Sequence, residues 1–234
     1  MTLSQEPRIL FEDQHLVVLS KPSGLLSQGE HTGDENLVDW LRARWGRPYV
    51  GLVHRLDRNT SGLMVVAKRT KAAQRLTLSL QKGELIRTYQ ALLCGRLEAP
   101  ADWRHFLQKD ERTNVVRVVR SGSGREVKEA RLGVRPLRTG GRPGAELTLA
   151  EFVLDTGRSH QIRVQAAAEK LPLLGDLKYG GPGAAHWGGL RPQGPALHSC
   201  QLSFPHPMGG AKVTYTDPPS NEWERWLGLH PRTP

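Results

Sequence analysis

The sequence predicts an α+β fold on a mixed, largely antiparallel sheet. Two observations carry this reading. Apolar and β-branched runs of strand length outnumber amphipathic segments of helix length, and several of those runs follow one another with only turn-forming residues between them. At 234 residues, 38% of them hydrophobic, the chain is long enough to bury a substantial core, and one domain over 1–234 is expected.

Taken in order, Arg8 to Leu19 alternates imperfectly and breaks at Lys21-Pro22-Ser23-Gly24, which reads as one or two short strands and a turn. A helix follows. Asp34 is its expected N-cap, Leu37, Trp40, Leu41 and Trp45 share one face, and Gly46 stands where a terminating glycine belongs. Tyr49 to Leu56 and Leu63 to Lys68 are expected strands on either side of the turn-rich stretch Asp57 to Gly62. A second helix is expected over Thr70 to Lys82, with Ala73, Leu76 and Leu80 inward and Gly83 ending it.

Strands are then expected at about Ile86 to Cys94, Val115 to Val119, Val127 to Leu137 and Glu146 to Leu154, with glycine-containing breaks at Ser121 to Gly124 and Thr139 to Gly144. Ser159 to Lys170 reads as a helix with Ile162, Ala166 and Ala167 inward. The glycine- and proline-rich stretch Gly180 to Gly194 reads as a long surface loop. Leu197 to Phe204 and Lys212 to Tyr215 form an expected hairpin, and a helix at about 219–229 presents Trp223, Trp226 and Leu227.

The formal net charge of +10 makes a polyanion the natural partner: nucleic acid first, an anionic membrane surface more weakly. The two cysteines, Cys94 and Cys200, lack the number and spacing of a disulfide framework or zinc site, so a reducing, cytoplasmic setting is expected. No stretch approaches the length of an apolar membrane span, and the first residues lack the pattern of a signal peptide. No membrane association is expected.

On local chemistry alone Asp57 reads as a turn aspartate bonded to its own backbone. Its neighbours change that reading. The stretch His54-Arg55-Leu56-Asp57-Arg58-Asn59-Thr60-Ser61-Gly62 resembles the signature of RluA-type pseudouridine synthases, in which an aspartate follows His-Arg-Leu and precedes Thr-Ser-Gly by two free positions. Further segments are similar to the same family and come in its order: Lys21-Pro22-Ser23-Gly24-Leu25, Arg87-Thr88-Tyr89-Gln90-Ala91, Gly157-Arg158-Ser159-His160-Gln161-Ile162-Arg163-Val164 with Gly175-Asp176 and Tyr179-Gly180 after it, then Leu197-His198 and Phe204-Pro205-His206-Pro207. The resemblance covers about residues 8–216.

What the resemblance implies is specific. The fold is that of a pseudouridine synthase, with helices and loops flanking the sheet around a central RNA-binding cleft. The reaction isomerises uridine within RNA: the bond from ribose to the base nitrogen breaks, the uracil turns, and a bond forms from carbon 5 of the base. Asp57 is then the catalytic carboxylate, as a nucleophile or as a stabiliser of the cationic sugar. Arg163 is the guanidinium that keeps Asp57 charged. Tyr89 contacts the base, as general base or stacking platform. Arg55, Thr60, Ser61 and Ile162 are the implied substrate-binding residues, with Arg55 set to fill the space of an extruded uridine or to contact phosphate, unless it is a structural ion-pair residue. Leu56 and Gly62 shape the loop together with Thr60 and Ser61, and Asp176 with Tyr179 serves as scaffold.

The expected partner is RNA, transfer RNA or large-subunit ribosomal RNA or both, bound by a monomer without metal or organic cofactor. No S4-type RNA-binding domain is expected ahead of residue 8. Ser159 departs from the family's usual threonine and Gln165 from its common histidine. Two other readings use the same residues. A nucleoside or glycoside hydrolase would pair Asp57 with Asp155 or Asp176 and release free uracil. A non-catalytic RNA-binding assembly factor would have no need of the acid.

Overall fold

The structure, a computed structural model, describes residues 5–30, 33–120 and 126–228. The break expected at Ser121 to Gly124 lies outside them. The chain divides into two compact units, Met1–Thr88 with His198–Pro218, and Tyr89–Leu197 with Pro219–Pro234.

In the first unit, β1 (Arg8–Glu12) and β2 (Leu16–Lys21) form the expected antiparallel pair, and β2 continues antiparallel onto β4 (Ser61–Ala67). Helix α1 (Leu37–Trp45) ends at Gly46 in the left-handed region, as expected, but its N-cap is Asn36 rather than Asp34: the Asn36 side chain accepts from the Asp39 N–H. The strand expected over Tyr49 to Leu56 shrinks to β3 (Gly51–Leu52), because the backbone from 53 to 60 turns away to carry the Asp57 loop. Helix α2 (Thr70–Gln81) buries Ala72 and Leu76, while Ala73 and Leu80 are only partly covered. β10 (Leu197–Pro205) and β11 (Lys212–Thr216) make the expected hairpin. Leu16, Val18, Leu63, Val65, Leu76, Leu202 and Phe204 make the core.

One junction in this unit fixes a motif glycine. β10 lies parallel to β4, with His198 opposite Ser61 and Ser199 opposite Gly62. Gly62 has φ +108, and a Cβ there would stand 2.3 Å from the Ser199 carbonyl oxygen, so no side chain fits.

The second unit has the strand order β5 (Ile86–Cys94), β9 (Ala145–Leu154), β8 (Val127–Arg142), β6 (Ala101–Asp110), β7 (Val115–Val119), with β5 entering from the first unit at Tyr89. β6 has no counterpart among the expected strands. β8 also runs past the expected break and turns into β9 directly after Arg142, which pairs with Ala145. Helix α3 (Gln161–Ala168) is shorter than expected because His160 takes left-handed backbone angles and starts it.

The segment from 180 to 194 is not a long loop. Helix α4 (Leu177–Ala185) occupies its first part and a 3-10 turn, Trp187–Gly189, follows. Gly181 breaks the helical path with φ +65, so Pro182 starts a second helical piece, where its missing N–H costs nothing. Ala184 of this helix and Trp223 and Leu227, at the end of the chain, bury against Leu92, Leu147 and Leu149; α5 spans Glu222–Trp226. That apolar contact explains why a glycine-rich stretch holds helical structure.

Candidate functional site

The Asp57 loop is held from both sides within the first unit. Thr60 N–H donates to the Asp57 carbonyl at 3.0 Å and closes a turn over residues 57–60. The early loop grips the same turn: Gly24 N–H reaches the Arg58 carbonyl at 2.9 Å, Ser23 Oγ the Asn59 carbonyl at 3.0 Å, and Arg58 Nε returns to the Gly24 carbonyl at 3.1 Å. Just before Asp57, Leu56 is buried, and both its N–H and its carbonyl bond to the hydroxyl of Ser27, at 3.1 and 2.7 Å.

The sequence reading assigned no role to Lys21. It is wholly buried, and its ammonium donates to the carbonyls of Leu25 at 2.7 Å, Pro22 at 2.9 Å and Arg58 at 3.1 Å. Burial pushes its pKa down to about 7, against the pull of the Asp57 charge, which favours the protonated form. Lys21 therefore ties the early loop to the Asp57 turn and sets a cation beside the carboxylate. Among the described residues of its own unit none donates a hydrogen bond to the Asp57 carboxylate, and Asp57 is half-buried.

His54, three residues before Asp57, is also buried. Its Nε2 accepts the Val65 N–H at 3.2 Å, so the proton sits on Nδ1. Burial, helped by the charge of Arg87, pushes its pKa down to about 3, and the ring is neutral at pH 7. Arg55 is exposed, with no ion pair among the described residues. Thr60 is buried in the turn. The Ser61 hydroxyl lies 2.8 Å from His198 Nδ1, while His198 Nε2 lies 3.0 Å from the Asp217 carbonyl. A carbonyl only accepts, so His198 Nε2 carries a proton toward it, and Nδ1 faces the Ser61 hydroxyl. Thr60 and Ser61 thus shape the loop.

In the second unit, Arg163 on α3 forms a two-pronged ion pair with Asp176: Nε at 2.8 Å to one oxygen, Nη2 at 2.7 Å to the other. Asp176 is fully buried and caps α4 by accepting the Lys178 and Tyr179 N–H groups. The guanidinium also lies over the Tyr179 ring, 5.0 Å from its centre. The Tyr179 hydroxyl accepts the Val116 N–H at 3.1 Å and stands 2.6 Å from His160 Nδ1. Asp176 and Tyr179 thus both contact Arg163, one through its two guanidinium bonds and the other through its ring.

Gln161 does similar work, accepting from Arg158 N–H and Thr156 Oγ and donating to the Arg131 carbonyl. Gln165, at the departure from the family histidine, donates to the Trp103 carbonyl at 3.2 Å. Ile162 and Tyr89 are buried on α3 and β5 respectively. Among the described residues no group of three or more His, Cys, Asp and Glu side chains is placed to hold a metal ion, and no helix is long and apolar enough to cross a membrane.

A family model described as RNA pseudouridylate synthase matches residues 15–168. The chain is 34% identical to the ribosomal large subunit pseudouridine synthase D of Xanthomonas campestris, over 94% of this chain and 68% of that relative. It is 35% identical to the enzyme of the same name from Nitrosomonas europaea, over 90% of this chain and 61% of that relative. It thus spans about two thirds of the length of the curated relatives it matches. In fold it is similar to the human RNA pseudouridylate synthase domain containing 1, with TM-score 0.78, 23% identity, and coverage of 98% of this chain and 90% of that one.

Proposed function

Because this chain belongs to the RNA pseudouridylate synthase family, whose reaction isomerises uridine in RNA to pseudouridine, we propose that Asp57 is the carboxylate on which that reaction turns. The chain is an isomerase and RNA is its substrate. In the reaction the bond from C1′ to N1 breaks, C1′ bonds to C5, the proton on C5 is lost, and N1 regains one. Mass is unchanged, so neither oxidant nor water is consumed. Asp57 supplies the negative charge against which the glycosidic bond breaks, and it must be ionised to do so.

The observation that carries this reading is the grip on the Asp57 turn. Five bonds from Lys21, Ser23, Gly24, Arg58 and Thr60 fix the turn over residues 57–60 that begins with the acid, more polar groups than a passive surface turn needs. In this proposal Arg163, oriented by Asp176, is the guanidinium that favours the charged acid, and Tyr89 lies against the base. Arg55, exposed and uncommitted, takes the place of the extruded uridine or a neighbouring phosphate. No metal or organic cofactor is required.

For the substrate we favour large-subunit ribosomal RNA, the substrate named in the relatives' descriptions, over transfer RNA. The protein is taken to act as a monomer. The test is to incubate it with ribosomal RNA and, separately, transfer RNA from cells lacking the corresponding gene, and to map new pseudouridines chemically. Pseudouridine in the ribosomal RNA supports the assignment; pseudouridine confined to transfer RNA overturns the substrate, and free uracil would replace isomerisation by hydrolysis.

A further inference from the structure

One face of the sheet in the second unit carries a cavity. Leu107 on β6 stands opposite Lys128 on β8, and Lys109 stands opposite Val116 on β7. Cross-strand partners, and residues two apart along a strand, share a face, so these four side chains project to the same side. Helix α3 packs on that side through Val164, which clusters with Leu107 and Val116. Just ahead of the helix, Gly157, Arg158 and Ser159 form the facing wall of a cavity of about 350 Å³. Tyr89, Ile162 and Arg163 are not among its lining residues.

The floor is apolar and the rim is charged. Leu107 and Val116 are buried, whereas Lys128 and Arg158 are exposed and Lys109 is half-buried. Arg158 Nε donates to the Glu129 carbonyl at 2.9 Å, and among the described residues neither Arg158 nor Lys128 pairs with a carboxylate. Two acids stand among these cations: Glu111, bonded to Lys109 at 2.5 Å, and Glu126, which makes no ion pair among the described residues. A bare anion is attracted by the cations and repelled by the acids, and a bare cation meets the reverse. A ligand that suits both kinds of group carries an anionic group, N–H donors and an apolar face together. One nucleotide of RNA has all three, in its phosphate, its base edge and its base plane, and the cavity is of the size that small ligands occupy.

We propose that this cavity takes a second nucleotide of the substrate RNA, unstacked and distinct from the reacting uridine, with its phosphate at Lys128 and Arg158 and its base over Leu107 and Val116. The inference rests on the reading of the chain as an RNA uridine isomerase. Glu126 and Glu111 accept from the base edge. A carboxylate there favours the bases that donate through an exocyclic amino group, cytosine, adenine and guanine, over uracil, which has none. The acids then read sequence near the target while the two cations hold the backbone.

The sign of the effect at Glu126 separates this from a surface that only attracts phosphate. On such a surface Glu126→Ala removes a repelling charge and tightens binding of every RNA; where the acid reads a base, it removes an acceptor. Binding of extracted ribosomal RNA, and of single-stranded decamers of cytidine, adenosine and uridine, is measured over a range of salt for wild type, Glu126→Ala and Lys128→Gln. Both positions are exposed, so the variants are expected to melt with the wild type. Lys128→Gln is expected to bind all these RNAs about fivefold more weakly near 0.1 M salt, with the slope of log affinity against log salt reduced by about one. Glu126→Ala is expected to bind the cytidine and adenosine decamers about fivefold more weakly and the uridine decamer no more weakly than wild type.

Wild-type affinity and salt slope in Lys128→Gln overturn the proposal, as does an equal effect of Glu126→Ala on the three decamers. If the wild type forms pseudouridine in ribosomal RNA and both variants bind RNA as it does, the nucleotide site fails while the enzymatic reading stands. The expected shifts in a protein that forms no pseudouridine keep the site and remove the enzymatic reading. A wild type that neither binds nor modifies RNA sinks both.

Discussion

Arg163 and Asp176 form a buried pair in which both carboxylate oxygens accept from one guanidinium, with 8% and 0% of the two side chains exposed. The same carboxylate caps α4, so one acid both orients the arginine of α3 and starts the next helix. The geometry is fixed by two parallel bonds, which a lysine could not reproduce.

Removing that acid should therefore cost more than a surface substitution. Asp176→Asn takes away the buried carboxylate that receives both prongs of the arginine and is expected to lower stability by about 3 kcal/mol. Urea unfolding measures it directly. A loss within about 0.5 kcal/mol, the range of ordinary surface changes, would contradict the role given to Asp176.

Lys21 gives a pH signature. Its pKa falls from 10.5 to about 7 on folding, so between these values the unfolded chain holds more protons and rising pH favours the folded state. The stability of wild type relative to Lys21→Met should therefore be flat below about pH 7 and climb from there toward pH 10. Lys21→Met also strands three carbonyls, at about 1 kcal/mol or more each at neutral pH. Denaturation of both proteins across this range tests the point, and a difference that shrinks as pH rises would refute it.

His54 acts in the opposite region. Its pKa falls from 6.5 to about 3, so the unfolded chain takes up a proton between these values while the folded one resists. Wild type should lose stability relative to His54→Gln as pH drops from 6.5 toward 3, with no such difference in trend above pH 7. Parallel acid titrations of the two proteins, followed by circular dichroism, decide this; coincident profiles would mean that the imidazole is not held neutral.

Much of this architecture is legible in the sequence where the period is clean. The β1–β2 pair, β5 and the β10–β11 hairpin follow from apolar runs between turn residues, and Gly46 marks the end of α1. β6 is not legible because only Trp103 and Leu107 are deeply buried on it, four residues apart, among charged neighbours. That spacing imitates a helix face. The 180–194 segment misleads for another reason: its glycines and prolines argue against helix locally, and tertiary contacts with Trp223 and Leu227 outweigh them.

The site divides in the same way. Asp57, Tyr89 and Arg163 stand out by motif, because their residue types match the chemistry. Lys21, His54 and Arg87 lie inside quoted motif segments and carry no local sign of burial; a lysine in a Pro-Ser-Gly turn or an arginine opening a strand reads as solvated. Only the fold shows that each is covered, and with that cover comes the depressed pKa or the stranded donor. Asp176 pairs with a residue 13 positions away, a separation that no helix or strand period flags.

The most direct test of the central claim compares wild type with Asp57→Asn, a change that keeps the shape of the side chain and removes its charge. Both are incubated with ribosomal RNA and assayed for pseudouridine, with RNA binding and melting temperature measured in parallel. The account predicts pseudouridine from the wild type and none above background from the variant, which still folds and binds RNA. Equal pseudouridine formation by the two proteins would contradict it.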